Sequence, residues 1–81
     1  MSIKETIISQ IRQVAQEQKR RLAPLKDDLV LLESGLDSFD LAILVVRLED
    51  ALGVDPFSAS HDFDFPVTLA DLTRFYEDAV N

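Results

Sequence analysis

The chain contains no cysteine, which excludes disulfide frameworks, thiolate zinc sites and thiol nucleophiles and fits a reducing compartment such as the cytoplasm. It also lacks any long hydrophobic run. The longest uninterrupted apolar stretch, residues 41–46, is far shorter than the roughly 20 residues of a membrane span. At the start, Ile3, Ile7 and Ile8 are interrupted by charged and polar residues, so no secretory signal is expected. The single histidine, His61, has no cysteine near it, and a small helical domain rarely encloses a catalytic cleft, so the sequence does not read as an enzyme. The pairs Asp27 with Asp28 and Asp62 with Asp64 lack the roughly twelve-residue loop spacing of an EF-hand and read as solvated charges and caps.

Basic charge is scarce beyond the first third. Residues 1–26 hold six Lys/Arg and two acids, a net +4, whereas residues 27–81 hold two Arg and thirteen acids, a net −11. Such a region repels nucleic acid and attracts basic partners. At 81 residues the whole chain, 1–81, forms one domain with one small core, because a chain this short buries only about 60% of its unfolded surface. Without disulfides, regular helix packing must hold that core together.

The apolar residues Ile3, Ile7, Ile8, Ile11, Val14 and Ala15 lie within roughly 140° of arc at helical spacing, which predicts an amphipathic helix from Ser2 to about Arg20. Residues 21–37 carry Pro24, the Asp27–Asp28 pair, a short apolar run at 29–32 and Gly35, and break that period. They read as a long ordered loop. A strand at 29–32 has no evident partner for its hydrogen bonds among helices. A second helix is expected to open at Asp37 as N-cap, with Asp40 in the reciprocal capping position, and to end at Gly53, with Pro56 blocking continuation. Pro56 and Pro66 bracket Phe57, Phe63 and Phe65 and leave room for a short helix around residues 58–64. Thr68, with Asp71 three residues on, begins a last helix whose apolar face comprises Leu69, Leu72, Phe75, Tyr76, Ala79 and Val80. The expected fold is all α: a small antiparallel bundle of three main helices plus one short helix, with a long loop between the first and second.

The second helix carries more apolar residues than one buried face needs. Leu41, Leu44, Val45, Leu48 and Leu52 fall on the bundle side, while Phe39, Ile43 and Val46 fall opposite, among Asp40, Arg47 and Asp50. Two readings stand: a wider core reached by the short helix, or an exposed apolar stripe for docking a partner. Ser38 follows the expected cap, in a turn whose unpaired N–H groups and helix dipole favour an attached phosphate.

The segment Glu33-Ser34-Gly35-Leu36-Asp37-Ser38-Phe39-Asp40, followed by an apolar helix ending Leu48-Glu49-Asp50-Ala51-Leu52-Gly53, resembles the acyl carrier protein family and its Gly-x-Asp-Ser-[Leu/Phe] attachment motif. The likeness extends to helix order, the long first loop, acidic bias and length. It implies that Ser38 bears 4′-phosphopantetheine, transferred from coenzyme A by a phosphopantetheinyl transferase, the holo-acyl-carrier-protein synthase, and that cargo rides on the arm's thiol as a thioester. Asp37 would help a basic transferase surface align Ser38, with Phe39 and Asp40 in the same docking site, and acyl-loading and acyl-processing enzymes with basic surfaces would be the further partners. A monomer is expected. Ile43 and Arg47 stand where carriers of ordinary fatty acid synthesis commonly show acids, which points to a dedicated carrier of a specialised pathway, with fatty acyl, polyketide and aminoacyl cargo all open. The alternative from another class is an acidic helical module that docks a protein through Phe39, Ile43 and Val46 with no covalent group.

Overall fold

A computed structural model describes residues 2–55 and 66–80. The short helix expected around residues 58–64 lies outside the described residues, as do His61, the Asp62 and Asp64 pair, and Phe57, Phe63 and Phe65. The described part contains α1 (Ile3–Glu17), a 3-10 turn (Leu31–Glu33), α2 (Ser38–Leu52) and α3 (Leu69–Val80). Together they form the expected small all-α bundle, in which α1 packs against both α2 and α3. Among the described residues, no helix is long and apolar enough to cross a membrane.

Each helix start is fixed by local chemistry. Ser2 and Glu5 form a reciprocal capping box at α1, and Asp37 and Asp40 form one at α2. At α3 the Asp71 amide donates to the Thr68 hydroxyl, and the Thr68 amide donates to the Asp71 carboxylate. Each satisfies N–H groups that no helical carbonyl can reach. Helix α2 ends at Gly53, whose φ of 70° is the left-handed geometry glycine adopts most readily. Helix α1 ends differently. Lys19 takes the left-handed position with φ 57°, the Lys19 N–H donates to Gln16 O, and the Arg20 N–H donates to Ala15 O at 2.7 Å. This is the Schellman arrangement without its customary glycine.

The core gathers Ile7, Ile11, Val14 and Ala15 of α1, Leu31 and Leu36 of the loop, Leu41, Leu44 and Leu48 of α2, and Leu69, Leu72 and Tyr76 of α3. Near-complete burial of each large side chain contributes about 1.5–3 kcal/mol, the main stabilising term available to so small a domain. The α3 face is narrower than its periodicity suggests, since Ala79 and Val80 are exposed near its end. Thr73 is buried instead, and its hydroxyl donates to the Leu69 carbonyl.

The long loop finds the partner that seemed missing. Val30 forms an isolated antiparallel bridge with Thr68; the Leu31 N–H donates to Val67 O at 2.8 Å and the Leu69 N–H to Leu29 O at 2.9 Å. The segment preceding α3 therefore satisfies the backbone of residues 29–31, so a single bridge suffices where a sheet would need more strands. This anchors the loop across the bundle and sets where its far end delivers the chain to α2.

Candidate functional site

The approach to α2 is shaped by a close backbone contact. Gly35 has φ 112°, and a Cβ built on it would lie 1.9 Å from the Arg21 carbonyl oxygen. Only glycine fits both the backbone angle and the space. Nearby, the Ala23 N–H donates to Ser34 O at 2.8 Å, and Leu36 is buried. The strand of chain just beyond α1 is thereby laid against the residues that lead into α2.

From this fixed approach the next three side chains are exposed and the fourth is buried. Asp37 is the exposed N-cap, Ser38 is the exposed first residue of the helix, Phe39 is 67% exposed, and Asp40 is fully buried. The Asp40 N–H donates to Asp37 Oδ1 at 2.8 Å, and the Asp37 N–H donates to Asp40 Oδ2 at 3.2 Å. The Asp40 amide is the main influence holding the Asp37 carboxyl below the usual carboxylate range; partial desolvation opposes it and the Arg20 charge adds to it. Ser38 is left outside this exchange, its side chain open to solvent at the positive end of the α2 dipole.

Arg20 joins the cap from outside the helix. Its Nη2 donates to Asp37 Oδ2 and its Nε to Asp40 Oδ2, both at 2.9 Å. Nothing in the periodicity of the sequence singles out Arg20, because it meets its partners across 17 and 20 residues of chain. Asp40 therefore departs from the expectation of a docking residue: wholly enclosed, it serves as the inner half of the cap and as a partner of Arg20.

The remaining residues of the expected stripe separate in the same way. Val46 is 65% exposed and Asp50 is exposed. Ile43 is half-buried and packs against the core, which favours the wider-core reading at that position. Arg47 is half-buried and donates to the exposed Glu17 of α1, so its charge is paired across α1 and α2 at the surface. Of the expected docking residues, Asp37, Phe39, Val46 and Asp50 are thus exposed, whereas Asp40 is enclosed and Ile43 and Arg47 are half-buried.

On another side of Ser38, an apolar groove of about 420 Å³ is lined among the described residues by Val30, Leu31, Leu32, Ser38, Leu41, Ala42, Pro66 and Val67. Leu32 and Val67 stand at 63% and 57% exposure. No charged side chain is among these lining residues. The groove joins loop, α2 and the segment before α3, a grouping that no single sequence window displays.

The family model for a phosphopantetheine attachment site matches residues 5–76, nearly the whole chain. The chain belongs to that family. No curated protein and no solved structure matches it. Its cofactor is 4′-phosphopantetheine, held covalently, and its role is that of a carrier modified by phosphopantetheinyl transferases and served by other enzymes. This carrier domain fits the group: an exposed hydroxyl stands at a capped helix N-terminus, where backbone N–H groups and the dipole favour a phosphodiester. When bound, the group supplies a terminal thiol for thioester formation.

Proposed function

We propose that Ser38 is the attachment serine and that the protein carries apolar acyl groups as thioesters between enzymes of a specialised biosynthetic pathway. The carrying observation is the placement of Ser38: the only serine in α2, exposed, directly after the Asp37 cap, and within the matched residues. In modification, Ser38 Oγ attacks the pantetheine-bearing phosphorus of coenzyme A. One P–O bond forms and the pyrophosphate P–O bond breaks. The hydroxyl proton passes to a base on the transferase, and adenosine bisphosphate leaves.

The cargo assignment rests on the groove beside Ser38. An aliphatic chain gains by leaving water there, at about 25 cal/mol per Å² of apolar surface buried, whereas the ammonium of an aminoacyl group would find no charged partner among the described lining residues. Docking falls to Phe39 and Val46 as the apolar centre, with Asp37 and Asp50 as its acidic rim. Acids steer a basic partner quickly and in a salt-sensitive way, and the small apolar centre keeps release fast.

The test is intact mass after incubation with coenzyme A and a broad-specificity phosphopantetheinyl transferase, for the wild-type chain and Ser38→Ala. Wild type should gain one phosphopantetheinyl group and the variant none. An unmodified wild type, alongside a control carrier that is modified, would instead favour a non-covalent interaction module. In the same preparation an octanoyl thioester should raise the melting temperature and an alanyl thioester should not; equal effects would remove the groove from the account.

A further inference from the structure

We propose that Arg20 is a positioning residue for the modification of Ser38, bridging the two carboxylates of the capping box so that the first turn of α2 is held in the geometry that presents the serine hydroxyl. The inference deepens the reading above, since it rests on Ser38 being the modified residue.

Two independent constraints aim Arg20 at the cap. From one side, the left-handed Lys19 turns the chain sharply at the end of α1, and the Arg20 N–H is tied back to Ala15 O at 2.7 Å. From the other, the Arg21 carbonyl oxygen occupies the place where a side chain at position 35 would begin, and the Ala23 N–H is bonded to Ser34 O. The backbone of residues 20–23 is thus fixed against the segment that leads to Ser38. A lysine would extend a single ammonium from the same place. The planar guanidinium reaches Asp37 and Asp40 with separate nitrogens at 2.9 Å each, a division of labour that suits arginine.

The need for this bridge comes from Asp40. Its side chain is fully enclosed, its Oδ2 accepts from Arg20 Nε and from the Asp37 N–H, and its Oδ1 has no hydrogen-bond partner in the structure among the described residues. A buried carboxylate with so few partners depends on its counter-charge. Arg20 supplies it and ties the enclosed acid to the exposed one. Without the bridge the side-chain half of the cap keeps its two reciprocal bonds, of which one is long at 3.2 Å, beside the backbone bond from the Leu41 N–H to Asp37 O, and Ser38 is the first of the two residues between those acids in sequence.

A second consequence concerns charge. Asp37 meets a docking partner with Arg20 already on one carboxylate oxygen, so simply removing Arg20 would strengthen the acidic rim. The two roles therefore have opposite kinetic signatures. Loss of positioning lowers kcat for the carrier as substrate, whereas unmasking of Asp37 lowers KM.

The experiment compares wild type, Arg20→Lys and Arg20→Gln as substrates of the transferase with coenzyme A, at a temperature where each keeps the wild-type far-ultraviolet circular dichroism. In parallel, amide hydrogen exchange is read at Asp37, Asp40 and, as an internal reference, Leu48. Both variants should lose about 10-fold in kcat with KM within about 2-fold. Exchange should accelerate at Asp37 and Asp40 and stay unchanged at Leu48. Should Arg20→Gln fail to fold, Arg20→Gln combined with Asp40→Asn removes the buried charge together with its counterion and takes its place. Wild-type kcat in both variants, a fall in KM at constant kcat, or a fall in kcat without faster exchange at the cap would each overturn the proposal. If the wild-type chain itself is not modified while a control carrier is, the Ser38 reading fails. The exchange measurements then decide alone whether Arg20 holds the turn.

Discussion

Replacing Gly35 with alanine tests the link between the two glycines and the placement of the site. Both glycines have positive φ, 112° at Gly35 and 70° at Gly53, but a Cβ at Gly35 would sit 1.9 Å from Arg21 O and 3.0 Å from its carbonyl carbon, whereas one at Gly53 meets nothing within 4 Å. The Gly53→Ala cost is therefore conformational alone, about 1 kcal/mol. At Gly35 the colliding atoms are backbone and cannot rotate aside. Strained φ costs about 1–3 kcal/mol, and displacement of the Arg21 segment sacrifices the Ala23–Ser34 hydrogen bond, worth about 1 kcal/mol. The expected loss is about 3 kcal/mol, from a total that for a domain of this size is on the order of 4–12 kcal/mol. At about 4–8 °C per kcal/mol, Gly35→Ala should melt at least about 12 °C below wild type. Urea denaturation with a shared slope, supported by thermal scans, measures both variants. If Gly35→Ala is no more destabilising than Gly53→Ala, the close approach of residues 21 and 35 is not what requires glycine, and the same segment cannot be the support on which Arg20 rests.

On α2, Ile43→Lys should cost about 1–2 kcal/mol in denaturant unfolding because Ile43 packs against the core. Val46→Lys should stay within about 0.5 kcal/mol of wild type and raise KM with the transferase; equal stability losses would place Val46 in the core as well. In acid, the depressed carboxyls of Asp37 and Asp71, each lowered chiefly by a backbone hydrogen bond at its cap, contribute stability that is present above the unfolded value of about 4 and lost as pH falls through their lower folded values. Melting temperature should therefore hold steady above about pH 5 and fall below about pH 4. Asp37→Asn, which retains a capping side chain, should begin lower at neutral pH and lose less in acid. An unchanged acid slope in that variant would remove Asp37 from the linkage.

Several features were legible because they depend on neighbouring residues only. The α2 cap at Asp37 and Asp40, its stop at Gly53, the Thr68–Asp71 start of α3 and the side of each helix that turns to the core, though not the full width of the α3 face, follow from hydrogen-bonding capacity and periodicity within a few residues of chain. The motif from Gly35 to Phe39 could be read for the same reason, and the family match covers it. The Schellman turn at Lys19 was hidden because a lysine stands where glycine is the usual signal, so the first helix was expected to run to about Arg20 when it ends at Glu17.

The tertiary structure decided whatever depends on which surfaces meet. Sequence placed Asp40, Ile43 and Arg47 on the outward side of α2; contacts with the loop and α1 turned Asp40 fully inward and drew Ile43 and Arg47 partly in. Sequence left residues 29–32 without a partner, and the chain before α3 supplied one from nearly forty positions away. Arg20 acquired its role in the same manner. A periodic pattern records which side of a helix is apolar, but the width of the face that is covered, and the charge that answers a buried acid, are set by packing between segments distant in sequence.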